Sequence, residues 1–183
     1  MTAAKVLLVY YSRTGNTRRL ALAIARELQC DIEEIRETRT RLGVAEFIKS
    51  CFEALWGHHA QIEAVQHDPK PYDLIVIGTP VWTASVSTPV RGYLRAHGQD
   101  FRDVAFFATM GHRGSRGAFV EMQKLLGKKP LACCAVTAGQ IAAGAFTPRV
   151  TQFVDEIGGH AKPARSGEQV ARAEQPGLER QPN

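Results

Sequence analysis

Short unbroken apolar runs alternate along this chain with longer stretches in which apolar residues recur every three or four positions. The first run is Val6-Leu7-Leu8-Val9-Tyr10-Tyr11. Such a run, without polar alternation, suits a strand covered on both faces. Residues 16–29 follow with Leu20, Ala21, Ile24, Ala25 and Leu28 at helical spacing. Residues 30–35 set Ile32 and Ile35 among acids and read as a second, short strand. The stretch 44–62 reads as mostly helical, with Phe47, Ile48, Cys51, Phe52 and Leu55 on one face.

The alternation then repeats. Tyr72 to Ile77 is expected to be a third strand, closed by Gly78, and Pro89 suits the first turn of a helix reaching Ala96. Val104 to Ala108 reads as the fourth strand, and Gly117 to Leu126 as a helix stopped by Gly127. Leu131 to Ala138 reads as the fifth strand. A last helix runs from Phe146 or Thr147 to Ile157, before Gly158-Gly159. Five strands alternating with helices predict an α/β three-layer sandwich around a five-stranded parallel sheet with right-handed crossovers. Beyond residue 158, Pro, Gln, Glu, Arg and Gly dominate, and Val170 and Leu178 are the large aliphatics. The expected organisation is one domain over 1–158 and a disordered tail over 159–183.

Composition narrows the class. The 183 residues are 44% hydrophobic and 22% charged, as in an ordinary globular domain. No apolar run reaches the roughly 20 residues of a membrane span. Met1-Thr2-Ala3-Ala4-Lys5 leads straight into the first strand without a signal-like cleavage site, so a cytoplasmic protein is expected. Cys30, Cys51, Cys133 and Cys134 form no CxxC pair, and the histidines are scattered, with His58 and His59 diverging on a helix. No metal site is expected.

Ligands of open parallel sheets bind beyond the carboxyl ends of the strands. After the first strand comes Ser12-Arg13-Thr14-Gly15-Asn16-Thr17, leading directly into a helix. Hydroxyls, a glycine for the tight turn and free amides at a helix N-terminus make an anion cradle. The pattern is neither a Walker loop nor GxGxxG. After the third strand, Thr79-Pro80-Val81-Trp82-Thr83 places a tryptophan at the same end of the sheet, offering a flat surface for an aromatic ring. One nucleotide-like ligand would use both segments.

Ser-x-Thr-Gly-Asn-Thr resembles the phosphate loop of the flavodoxin family. Gly-Thr-Pro-Val-Trp followed by Pro89-Val90-Arg91 is similar to the family's second flavin loop, and Thr109-Met110-Gly111 stands where its third loop stands. The resemblance covers roughly residues 5–158 and is of the short-chain type. It implies FMN as cofactor and the strand order 2-1-3-4-5. It also implies that Ser12, Arg13, Thr14, Gly15, Asn16 and Thr17 hold the phosphate, with Thr79, Pro80, Val81, Trp82 and Thr83 along one side of the ring. Thr109, Met110, Gly111, His112, Arg113, Gly114 and Ser115 would cover the other side. The third segment lacks the stacking tyrosine common in flavodoxins.

Charge changes the picture once more. The isoelectric point is about 9.2, whereas electron-carrying flavodoxins are typically acidic. Residues 12–19, 79–95 and 109–118 hold Arg13, Arg18, Arg19, Arg91, Arg95, Arg113 and Arg116, with no Asp or Glu. A positive rim would attract anionic partners. The expected function is that of a carrier passing electrons to a partner protein; the alternative is an NAD(P)H-dependent, FMN-containing reductase of quinones or similar small molecules. A nucleic-acid module has only the isoelectric point in its favour. No side chain stands out as a catalytic acid, base or nucleophile.

Overall fold

A computed structural model describes residues 4–36 and 66–158. Strand β1 (Val6–Tyr10) lies between β2 (Asp31–Glu34) and β3 (Leu74–Trp82), and all three run parallel. Beyond β3 come β5 (Asp103–Met110) and β6 (Cys133–Thr137), also parallel, giving the order β2-β1-β3-β5-β6. Counting the parallel strands alone, this is the expected 2-1-3-4-5. A sixth strand, β4 (Ser85–Val86), pairs antiparallel with the far end of β3.

Helices α1 (Asn16–Leu28), α2 (Thr88–His97), α3 (Ser115–Leu126), α4 (Ala138–Ala142) and α5 (Thr147–Ile157) cover the sheet. Alternate side chains of a strand face opposite ways, and β1 shows the result. Val6, Leu8 and Tyr10 share a core with Leu20 and Ile24 of α1 and Val150 and Phe153 of α5. Leu7, Val9 and Tyr11 share the other with Val90 and Tyr93 of α2 and Met122 of α3. Because both faces are covered, the run at 6–11 needs no polar alternation.

Several boundaries differ from the sequence reading. Gly78 does not close β3. It sits inside the strand, and the Phe107 ring from β5 fills the place its Cβ would take. Only a residue without a side chain lets that ring lie across the strand. β3 therefore continues to Trp82, and β5 reaches Met110, so Thr79–Trp82 and Thr109–Met110 stand on strand ends rather than loops. Helix α4 was not expected; Thr137 and Gln140 start it with a reciprocal capping box. In β6, Cys133 is exposed and Cys134 buried, as opposite faces require. The helix expected over 44–62 and the tail expected over 159–183 lie outside the described residues. Among the described residues no helix is long and apolar enough to cross a membrane.

Candidate functional site

The carboxyl ends of β1, β3 and β5 lead into the three segments singled out above. From Tyr11 the chain enters α1 through Ser12–Gly15. Gly15 is the N-cap, at φ 88°, and offers the first turn no side-chain acceptor. Nothing lies within 4 Å of where a Cβ would sit, so conformation rather than crowding calls for glycine here. Ser12 Oγ accepts the Arg18 N–H at 3.1 Å. The earlier amides of the turn, at Asn16 and Thr17, have no carbonyl within the helix to bond. Amides and dipole together suit an anion. Arg13 and Thr14 are exposed, whereas Thr17 is buried with its hydroxyl 2.8 Å from that of Thr109.

The second segment is a hairpin. Val81 pairs with Val86 and Trp82 with Ser85, leaving Thr83 and Ala84 as a two-residue turn. Both have positive φ, 51° and 61°. That is the turn geometry for which Asn-Gly is favoured. A β-branched residue there is a real outlier; such a position costs about 1–3 kcal/mol and persists only where its surroundings hold it. Thr79 is fully buried; its hydroxyl accepts the Ser87 N–H and lies 3.1 Å from Ser87 Oγ. Its side chain thus ties the hairpin's return to β3. Pro80, Val81 and Trp82 are half-buried and Thr83 is exposed. Tyr11 meets the Trp82 ring edge-on at 5.9 Å, and the Arg13 guanidinium lies 5.9 Å from that ring's centroid.

In the third segment Met110 is half-buried, and Gly111, His112 and Arg113 are exposed. Gly114 caps α3 at φ 112°. A Cβ on it would come within 3.0 Å of Ala84 Cα and of Val81 Cγ1, and one on Gly117 would collide with the Ala84 carbonyl. The hairpin tip therefore rests directly on the start of α3. Each pair of segments is joined: first to second by Tyr11 and Arg13 against Trp82, first to third by Thr17 with Thr109, second to third at Gly114. The separate sequence signals meet at one place.

The sequence reading missed what locks the second joint. Glu121 of α3 accepts hydrogen bonds at both carboxylate oxygens. Oε1 takes Arg91 Nε at 2.7 Å and Nη2 at 2.6 Å, while Oε2 takes the Ser85 hydroxyl and the Val86 N–H at 3.1 Å. Burial alone would push this carboxyl up. The Ser85 and Val86 hydrogen bonds and the Arg91 guanidinium outweigh it and hold the carboxyl below its ordinary range. A signal was present: positions 114, 117 and 121 lie on one helical face.

The arginine rim is correspondingly smaller than the count of seven. Arg91 is neutralised by Glu121. Arg95 lies two turns down α2, roughly 10 Å from its start at 1.5 Å per residue. Arg13, Arg18, Arg19, Arg113 and Arg116 are exposed at the strand ends. An acid also stands near: Glu34, at the end of β2, hydrogen-bonds Tyr10, and burial together with that carboxylate pushes the Tyr10 phenol up to about 12.

These features fit a flavin mononucleotide: a glycine-capped, amide-bearing helix start for a phosphate, and a half-buried tryptophan beside it for a ring. Comparison with known proteins agrees. Residues 4–166 match the family model of NADPH-dependent FMN reductases. A flavoprotein from Lactobacillus acidophilus NCFM, crystallised with FMN, is similar at TM-score 0.64 and 23% identity, over 78% of this chain and 99% of that one. The flavodoxin, WrbA-like protein from Agrobacterium tumefaciens gives 0.52 and 14%, over 86% and 99%. An NADH:FMN oxidoreductase in its apo form gives 0.54 and 13%, over 92% and 93%. No curated protein matches this chain. The match over most of the length, on a sheet of flavodoxin order, places the chain in the NADPH-dependent FMN reductase family of flavodoxin-like FMN proteins.

Proposed function

We propose that this chain is an FMN-dependent reductase that takes electrons from NADPH and delivers them to a quinone or another small acceptor. Bound FMN supplies the hydride and electron chemistry. The protein's part is to bind, orient and set the field. In this reading the Asn16 and Thr17 amides, with Ser12, Arg13 and Thr14, hold the phosphate, and Gly15 allows the turn around it. Residues Thr79 to Thr83 lie along one side of the ring, chiefly through backbone groups and Trp82, since the Thr79 hydroxyl is engaged with Ser87. Residues Thr109 to Ser115 close the other side. The binding unit is residues 1–158.

The observation that carries the reductase reading is the rim of Arg13, Arg18, Arg19, Arg113 and Arg116, exposed around the site. A phosphate-rich dinucleotide donor is drawn to such a field and can be held by guanidinium forks. Mixing the FMN-loaded protein anaerobically with NADPH tests this. The flavin band is expected to bleach with NADPH alone, more slowly as salt is raised, because exposed charges are screened. Protein that NADPH leaves yellow until a separate reductase is added is instead a carrier serving a protein partner, and the reductase reading falls.

A further inference from the structure

We infer that Glu121 is a positioning residue for the flavin ring: through Ser85, Val86 and Arg91 it holds the Trp82–Ser85 hairpin in its left-handed turn. The inference rests on the FMN reading above and adds a residue that lies outside all three binding segments.

The argument begins with what the hairpin lacks. Thr83 and Ala84 have no intrinsic preference for φ 51° and 61°. Strand β4 is two residues long, so its ladder with β3 consists of two residue pairs. A ribbon that short is not stable by itself. Thr79 ties the far end of the return strand at Ser87, but the turn itself must be held from outside the ribbon, and α3 supplies two supports. One is steric: Gly114 and Gly117 leave room for Ala84 to lie on α3. The other is polar, and it is Glu121.

Its two oxygens do different work. Oε2 takes the outward-facing Val86 N–H of the edge strand and the Ser85 hydroxyl beside the turn. Oε1 takes Arg91, which also donates to Ser85 Oγ at 2.9 Å. Arg91 and Glu121 are both largely shielded, with side chains 20% and 27% exposed. Hydrogen bonds between charged groups in such a setting are stronger than neutral ones. The clamp thus joins α2, β4 and α3 around a turn that would relax without it. Trp82, the ring-facing residue, is paired directly with Ser85, so movement of the clamp is movement of Trp82.

Three proteins test this: wild type, Glu121→Gln, and Glu121→Gln combined with Ala84→Gly. Each is titrated with FMN and with riboflavin, and the midpoint potential of the bound flavin is measured. Glu121→Gln keeps the shape but removes the charge and leaves a single acceptor oxygen. It is expected to lower affinity for both flavins alike, by about tenfold, the worth of one charge-assisted hydrogen bond, and to shift the potential. Equal loss for both flavins marks the ring, because a phosphate-loop defect would spare riboflavin. Adding Ala84→Gly should recover most of the affinity and the wild-type potential, since glycine adopts the turn without restraint. A general weakening of α2–α3 packing would not be rescued at the turn. Wild-type affinities and potential in Glu121→Gln would overturn the inference while leaving the FMN reading intact, and so would a loss that Ala84→Gly does not repair. Wild-type protein that takes up no flavin would overturn both.

Discussion

Replacing Thr109 by valine removes one hydroxyl of the buried Thr17–Thr109 pair while keeping the side chain's shape. The two residues are 2% and 4% exposed and their hydroxyls lie 2.8 Å apart. In Thr109→Val the Thr17 hydroxyl loses its partner and has no bulk water to turn to. Leaving a buried hydroxyl unsatisfied costs about 1–3 kcal/mol, whereas replacing both members by apolar groups of the same shape costs much less. Thr17→Val and Thr109→Val should therefore each destabilise the flavin-free protein by about 1–3 kcal/mol, and the double variant by clearly less than their sum. Urea unfolding of the four proteins reads this as shifts in midpoint at a shared slope. Thermal melts resolve it too, at about 2–4 °C per kcal/mol for a chain of this size. The same bond ties the phosphate segment to β5. Thr109→Val should accordingly weaken FMN binding more than riboflavin binding, although Thr109 is expected to touch the ring side alone. Additive losses in the cycle, or a Thr109→Val protein as stable as wild type, would refute this account of the pair.

Two further outcomes follow from the hairpin. Glu121 has a folded-state pKa below its ordinary 4.5, so its stabilising effect is complete above that pH and is lost as pH falls through the lower folded value. The stability gap between wild type and Glu121→Gln, measured by urea unfolding from pH 7 to pH 3, should be flat at the neutral end and close at the acid end; a gap unchanged at pH 3 would contradict the charged clamp. Gly117→Ala places a methyl against the Ala84 carbonyl and should cost about 1–3 kcal/mol by forcing the hairpin off α3. Thermal unfolding checks this, and an unshifted melt would show that the tip is not seated there.

The five parallel strands and helices α1, α2, α3 and α5 were legible because they follow from periods that each segment carries within itself. The run at 6–11 and the helical spacing at 16–29 need no other part of the chain to be read. What was not legible depends on a distant neighbour. Gly78 looks like the end of a strand until Phe107 is laid across it. Thr17 and Thr79 look like ligand hydroxyls until Thr109 and Ser87 take them up. Arg91 reads as part of a positive rim until Glu121, six residues beyond the third segment, neutralises it. The hairpin is the sharpest case. Local rules ask for Asn-Gly in such a turn, and Thr83-Ala84 gives no hint of one, so a plain loop was the natural expectation. The chain instead sets an unfavourable turn beside Trp82 and supplies the compensation from α3, as two glycines to receive the tip and one carboxylate to hold it. A sequence that breaks a local preference and repairs it from elsewhere usually does so where geometry serves function. Here the repair falls on the segment expected to lie along the flavin. The resemblance to flavodoxins pointed to the binding segments; the broken rule points to the residue that keeps one of them in place.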